Sequence, residues 1–323
     1  MDELDLQVTG RLAPGTAARV EQLLAESRRV DGHDALSEPA RERLHLEAGR
    51  RPDPATPAGD DGTFLAAVAS VPGSGRPVGY AQGQAVGHDG AVAVELVVAP
   101  DRRDGPPAVA DALVRAVLEA LDGRGTAVRL WAHHATAADD RLARRHGFGP
   151  ERELVQMRRP LPVEGERPAF AVRPFVPGED ERAWLEVNNR AFAGHPEQGG
   201  WDRSTLEARE AEPWFDPAGF LLHEEDGRLA ASCWTKVHDG ADPRLGEIYV
   251  IAVDPDFHGR GLGRAMTLAG LDWLAGAGLG TGMLYVDGAN GAAVALYRSL
   301  GFTVDHVDRS YLRPVSPPGP ASD

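Results

Sequence analysis

Two segments of this 323-residue chain follow one grammar. In the first, Leu96-Val-Val-Ala-Pro100 leads through a polar turn into a helical pattern over Ala108–Leu121. Val128-Arg-Leu-Trp131, a polar loop and Arg144-Arg-His-Gly-Phe148 follow, and the segment closes at Met157-Arg-Arg-Pro160. In the second, Ile251-Ala-Val-Asp-Pro255 leads through a Gly-rich turn into Arg264–Ala275. Met283-Leu-Tyr-Val286, a polar loop, Arg298-Ser-Leu-Gly-Phe302 and Leu312-Arg-Pro314 complete it. Pro255 stands 155 residues after Pro100, and Gly301 stands 154 after Gly147. Solenoid repeats are only about 20–45 residues long, so this is a duplicated domain. The repeat predicts domains over 1–160 and 169–323, joined by a Pro- and charge-rich linker over 161–168.

Each half opens with a helix (Thr16–Glu26; Glu179–Ala191). Antiparallel strands follow (Thr63–Ala69 and Pro77–Ala85; Gly219–Glu224 and Arg228–Val237), then a longer strand (Ala91–Val98; Gly246–Val253). Strand, helix and strand close each half. The expected class is mixed α/β, helices packed on a sheet, twice over. Arg50–Gly62, rich in Pro, Gly and Asp, reads as a mobile loop.

Charge narrows the partners. Asp and Glu total 49 against 34 Lys and Arg, a formal charge of −15. Nucleic acid and anionic membranes need a basic face, so neither is expected. The single cysteine excludes a disulfide framework and any Cys-based zinc site. Met1–Asp5 is acidic with no apolar run behind it, so no secretory signal is expected. Ala265–Val286 is broken by Asp272 and five glycines, which reads as helix, turn and strand. A soluble, cytoplasmic monomer is the expectation. Of the basic residues, 33 are Arg and one is Lys, at Lys236. A lone lysine in an arginine-biased chain marks a place where a guanidinium does not fit, or chance.

The stretch Val250-Ile-Ala-Val-Asp-Pro-Asp-Phe-His-Gly-Arg-Gly-Leu-Gly-Arg264 carries the most chemistry. An apolar strand ends at Pro255, a turn holds Gly259, Gly261 and Gly263, and an amphipathic helix follows. Glycines there let backbone N–H groups approach a ligand, and the helix N-terminus adds unpaired donors and partial positive charge. That is a pyrophosphate cradle. No Gly-Lys-Ser/Thr follows, so it is not a Walker loop, and its place in the chain is not that of the dinucleotide fingerprint. Alone, the glycine pattern reads equally as a plain turn.

His258-x-x-Gly261-x-Gly263 after a Val-Asp-Pro strand end resembles the acetyl-CoA loop of the GNAT superfamily of N-acetyltransferases. So does Asn290-x-x-Ala293-x-x-x-Tyr297-x-x-x-Gly301-Phe302 downstream. The superfamily usually has Gln or Arg where His258 stands. The runs Val187–Trp201, Trp214-Phe-Asp-Pro217, Trp234-Thr-Lys-Val-His238, Gly246-Glu-Ile-Tyr249 and Gln156–Pro160 are similar to those of the mycothiol synthase family, tandem-domain acetyltransferases of actinobacteria. The resemblance implies two tandem GNAT-type domains. It also implies acetyl-CoA as co-substrate and acetylation of the cysteinyl amine of a cysteine–glucosamine–inositol conjugate, the desacetyl precursor of mycothiol. By the same resemblance, acetyl-CoA would lie along the backbone of Ile251, Ala252 and Val253. Further contacts would come from His258, Gly259, Arg260, Gly261, Leu262, Gly263 and Arg264, and from Asn290, Gly291, Ala292, Ala293, Val294 and Ala295. Glu38, Glu197, Lys236, Glu247 and Tyr285 match acceptor-contacting positions.

Amide formation from a thioester needs a neutral amine, a polarised carbonyl and a stabilised leaving thiolate. An α-amine titrates at about 8, so a modest base suffices. Glu247, on the strand feeding the turn, is the candidate base; a salt-bridged strand carboxylate is the alternative. Tyr297 is the candidate acid, a half-buried core aromatic the alternative. Asn290 could instead cap the following helix. His195 and His238 lack a third ligand at a suitable spacing, so no metal is expected. Cys233 reads as a buried structural thiol.

The repeat allows an internal comparison. Offsets of 155 and 154 pair Glu247 with Val92 and Tyr297 with Ala143. Glu95 lies nearby on the strand, but three residues from Val92 it should face the other side. Pro106 and Pro107 stand where the second half has Gly261 and Leu262, removing two donors. The first half is therefore expected to be non-catalytic. The resemblance still gives it a possible acetyl-CoA site at Leu96, Val97 and Val98. An N-acetyltransferase of another small amine and a non-catalytic acyl-CoA sensor stay open as alternatives.

Overall fold

The computed structural model describes residues 4–49, 64–85, 90–105, 108–165, 170–195, 198–240 and 243–315. Arg50–Gly62, Pro106, Pro107 and Glu197 lie outside the described residues. The chain divides into two compact units, Met1–Glu153 with Val307–Asp323, and Leu154–His306.

Unit 1 runs β1 (Asp5–Thr9), α1 (Pro14–Asp31), α2 (Glu38–Gly49), β2 (Phe64–Ser70), β3 (Pro77–Ala85), β4 (Val92–Val98), α3 (Val109–Leu121), β5 (Val128–Ala132) and α4 (Ala137–Arg145). Its strands lie in the order β1-β2-β3-β4-β5. β4 and β5 are parallel; the other neighbours are antiparallel. Beside β5 lies the end of the last strand among the described residues, with Arg309–Arg313 antiparallel to Val128–Ala132. α3 buries Val109, Leu113, Val114, Val117 and Leu121, the stripe that a helix presents to a sheet.

Unit 2 takes in the end of β6 (Gly149–Pro160) and then β7 (Arg173–Pro174), α5 (Glu181–Ala191), α6 (Arg203–Glu210), β8 (Phe220–Glu225), β9 (Arg228–His238) and β10 (Leu245–Val253). α7 (Leu262–Gly276), β11 (Thr281–Asp287), α8 (Gly291–Ser299) and the start of β12 (Thr303–Arg313) complete it. Its order is β6-β11-β10-β9-β8-β7, with β10 and β11 parallel. Each unit thus receives a strand from the other half of the sequence: residues 154–160 pair with β11, and residues 309–313 with β5.

α7 sits close on β9 and β10. A Cβ on Gly270 would stand 2.5 Å from Cys233 Sγ and 2.6 Å from Ile248 Cδ1. On the opposite face α5 and its neighbours build an aromatic core. Trp184, Phe220 and Trp234 are fully buried, and Trp234 stacks on Phe220 at 4.4 Å.

The repeat reaches single side chains. Short 3-10 turns occupy Pro100–Arg102 and Pro255–Phe257. Arg103 Nε donates to the Val98 carbonyl (3.3 Å), and His258 Nε2 bonds the Val253 carbonyl (3.1 Å). α4 and α8 are both nine residues long and both stop at a left-handed glycine, Gly147 and Gly301.

β10 departs from β4 in one respect. A bulge between Ile248 and Val250 inserts a residue at Tyr249, while β4 pairs regularly with β3. Ahead of the bulge the parallel registers, Val92↔Val128 and Gly246↔Gly282, set the counterpart of Glu247 at Ala93 rather than Val92. Glu95, two residues from Ala93, therefore lies on the face equivalent to that of Glu247, not the opposite one.

Candidate active site

The site in unit 2 grows from the end of β10. The parallel ladder between β10 and β11 ends at Ile248↔Leu284, although both strands continue. Beyond Ile248 the backbone groups of β10 that faced β11 have no ladder partner among the described residues. An opened strand edge of this kind suits an extended amide-bearing arm. Ile251, Ala252 and Val253 lie there, half-buried or buried.

The turn after β10 is built for close approach. Gly259 and Gly261 hold φ of 77° and 78°, a region costly for any residue with a Cβ. Gly261 is the N-cap of the 15-residue helix α7. The first N–H groups of that helix, from Leu262 onward, have no intrahelical acceptor and point at the turn. The side chains of the turn are engaged elsewhere. His258 closes on Val253, Arg260 pairs with Glu225 (2.8 Å), and Arg264 bonds Ser299 (2.9 Å). What the turn offers a ligand is backbone.

Asn290 is the N-cap of α8, its Oδ1 accepting from Ala293 N–H at 3.1 Å. Gly291 and Ala292–Ala295 form the first turns of that helix.

Glu247 stands opposite Lys236 across β9–β10, so both side chains leave the same face of the sheet. Tyr285 shares that face, two residues past Met283, the parallel partner of Glu247. Glu247 is buried at 7% exposure, and its Oε2 bonds His238 Nε2 at 2.7 Å. The lone lysine, Lys236, is also buried, its ammonium 4.6 Å from the Trp214 ring centre and 5.8 Å from that of Tyr249. Such a cage holds a compact cation by its π faces, and a planar guanidinium would need a different shape. The Tyr285 hydroxyl accepts from Gln156 Nε2 (2.7 Å), and Gln156 Oε1 accepts from Arg158 Nε (2.6 Å).

Tyr297 is buried on α8, edge-on to Phe302 at 5.9 Å. Burial, with a smaller contribution from Cys233, pushes its phenol up to about 12. Burial also pushes the Cys233 thiol up to about 12, so it stays protonated as a structural residue should.

The loop after α5 is held by side chains that sequence spacing could not pair. Asn188 Nδ2 donates to the Gln198 carbonyl (2.9 Å), and Asn189 bonds both the Trp201 carbonyl and its N–H. His195 Nδ1 accepts from Gln198 N–H (3.0 Å). Trp201 packs edge-on to Trp184 at 5.8 Å and so ties the loop to the aromatic core.

Glu38 and Leu96–Val98 belong to unit 1. Glu38 is exposed and opens α2. Leu96–Val98 follow the end of the β4–β5 ladder at Glu95↔Trp131, as Ile251–Val253 follow theirs. The Arg103 guanidinium, paired with Asp31 at 2.5 and 2.6 Å, takes up the Val98 carbonyl. Glu95 is locked: it accepts from Ser37 N–H and Oγ (both 2.6 Å) and from His133 Nε2 (3.1 Å). Asp308 holds the other His133 nitrogen at 3.1 Å. Burial opposes charging His133, but the two carboxylates outweigh it and raise its pKa to about 10. Burial likewise opposes ionised Glu95, and His133 and Ser37 override it, leaving its pKa lowered. A carboxylate spent neutralising an imidazolium is a poor base.

A glycine turn at a helix N-terminus, beside parallel strands that part company, is the arrangement of a GNAT-type acyltransferase, and the comparisons with known proteins place the chain in that class. The acetyltransferase (GNAT) family model matches residues 182–302. A GCN5-related N-acetyltransferase from Sphaerobacter thermophilus is structurally similar over 97% of this chain and 96% of its own, with a TM-score of 0.71 and 23% identity. A tandem GNAT protein from the clavulanic acid biosynthesis pathway is similar over 99% and 100%, with a TM-score of 0.70 and 18% identity. These likenesses establish the fold: two tandem GNAT-type domains. The mycothiol acetyltransferase of Acidimicrobium ferrooxidans is 44% identical over 93% of each chain. That of Streptomyces coelicolor is 43% identical over 95% of this chain and 94% of its own. The chain belongs to the mycothiol acetyltransferase family. It is thus an acyltransferase of mycothiol metabolism with a small-molecule substrate, from a superfamily that uses acetyl-CoA. No helix among the described residues is long and apolar enough to cross a membrane.

Proposed function

We propose that this enzyme acetylates the cysteinyl α-amine of the cysteine–glucosamine–inositol conjugate, the last step of mycothiol biosynthesis. The observation that carries this reading is the position of Glu247. It is a buried carboxylate just ahead of the β10 bulge, opposite Lys236 and on the strand that runs into the glycine turn. Acetyl-CoA would be held by the opened edge of Ile251–Val253 and by the first N–H groups of α7, and it supplies the acyl thioester. The left-handed glycines and unladdered strand edge fit such a ligand.

The roles follow from the chemistry. Glu247 takes a proton from the acceptor ammonium, leaving the amine free to attack. Lys236 and Tyr285, on the same face, offer donors to sugar or inositol hydroxyls; Glu38 and Glu197 are proposed as further acceptor contacts. Tyr297 donates to the departing thiolate. Its raised pKa keeps the phenol protonated throughout the neutral range. Because a free thiol titrates at about 8.5, full transfer from the resting phenol would be uphill. Its contribution is a hydrogen bond that strengthens as charge develops on sulfur. In unit 1 the engaged Glu95 and the Arg103–Asp31 pair support a non-catalytic part.

Tyr297→Phe is expected to lower kcat about 10²-fold, with the melting temperature unchanged because the ring keeps its packing on Phe302. Thermal melts and steady-state rates on one preparation check both halves of that statement. Lys236→Arg is expected to raise the acceptor KM about tenfold or more, the loss of a charged contact, with the acetyl-CoA KM unaltered. Separate titrations of the two substrates read the difference.

The function itself is tested by CoA release with the desacetyl precursor beside a panel of other amines, with mass detection of product. Strong preference for the precursor is expected. Turnover of other amines alone would discard the acceptor. Bound acetyl-CoA without turnover of anything would discard the enzyme in favour of a sensor.

A further inference from the structure

The reaction releases a proton that Glu247 cannot keep. An ammonium acceptor loses two protons on becoming an amide: one ends on the CoA sulfur, the other must reach solvent before the next turnover. Glu247 is poorly placed to deliver it, with its side chain only 9% exposed. The group touching it is better placed. His238 Nε2 lies 2.7 Å from Glu247 Oε2, and the His238 side chain is 26% exposed. Both are fixed by the sheet: His238 ends β9 two residues past Lys236, which faces Glu247 across the ladder, so all three share a face. An imidazole is suited to the task, since it accepts a proton on one nitrogen and releases one from the other near neutral pH.

We infer that His238 is a positioning residue that also relays the proton: it orients the Glu247 carboxylate, takes the amine proton from it and passes it to water. The bonds balance. The acceptor N–H breaks as a Glu247 O–H forms, that O–H breaks as His238 Nε2 gains an N–H, and the Nδ1 N–H breaks to release a proton to water. The imidazole, left with its N–H on Nε2, donates it to the regenerated Glu247 carboxylate, and exchange of the ring proton to Nδ1 through water frees Nε2 for the next cycle. The inference rests on Glu247 being the base.

The test uses His238→Gln, which can still donate to Glu247 but cannot carry a proton, with His238→Ala beside it and Glu247→Gln as control. Rates are measured at low buffer concentration and again with added imidazole. Both His238 variants are expected to lose kcat about tenfold or more, with the acetyl-CoA KM unchanged, and to recover as imidazole rises. A role in orientation alone predicts an unimpaired His238→Gln, or a loss that imidazole does not restore; either result overturns the relay. Retained turnover in Glu247→Gln would instead overturn the base assignment beneath it, which keeps the two failures apart.

Discussion

Glu247→Gln is expected to lower kcat by about two to four orders of magnitude, with acetyl-CoA binding essentially unchanged. The substitution is nearly isosteric, and the amide can still bond His238, so the buried site keeps its shape. What is lost is the only function for which a carboxylate is required, accepting the ammonium proton. Binding should survive because the cradle is made elsewhere: the left-handed turn at Gly259 and Gly261, the amides of α7 and the opened edge of β10. Calorimetric titration of acetyl-CoA beside steady-state kinetics separates the two. A loss in kcat of less than about threefold would show that the base lies elsewhere or that solvent suffices.

His133→Leu is expected to destabilise unit 1 by about 3–5 kcal/mol, the cost of breaking a buried charge pair from one side. The side chain has Glu95 at 3.1 Å on one nitrogen and Asp308 at 3.1 Å on the other. Removing it leaves two carboxylates, their side chains 8% and 7% exposed, without the cation that lay between them. The wild-type protein should also carry a pH signature. His133 has its folded pKa raised above the unfolded value of about 6.5, to about 10. Its stabilisation is complete below the unfolded value and fades as pH climbs towards 10. Glu95 has a lowered folded pKa, so its part is complete above the ordinary Glu value and fades on acidification. Hydrogen exchange of β4 and β5 amides at pH 6 and pH 9 should show protection falling at the higher pH. In His133→Leu that slope should be absent and protection low throughout.

The legible parts of this molecule were those written in local sequence. The glycine turn, the helix stripes and the twofold grammar need only neighbours, and α5, α7 and β10 appear where the spacing put them. The two units as such were legible too, but not their strand membership, because residues 154–160 and 309–313 look the same whichever sheet they join. The Tyr249 bulge left no mark in composition, yet it alone moves the counterpart of Glu247 from Val92 to Ala93 and turns Glu95 to the equivalent face. β1, α2, α6 and the short β7 leave no clear pattern in the sequence; α2 has almost no amphipathic contrast to betray it. Lys236 was singled out as the lone lysine, but its cage comes from Trp214, 22 positions away in the sequence. The contact of His238 with Glu247 is not legible in the sequence, where nothing says that two residues nine apart meet across a hairpin.

The exchanged strands also set a timetable. A ribosome delivers the N-terminal end first, yet the sheet of unit 1 gains its last strand only when Arg309–Arg313 arrive beside β5. Unit 2 is one continuous stretch, Leu154–His306, and has all its strands before then. Throughout the synthesis of unit 2, Val128–Ala132 lack the partner that residues 309–313 bring, and an unpaired edge of that kind is one on which nascent chains pair wrongly. The half of the protein made first is the half that finishes last.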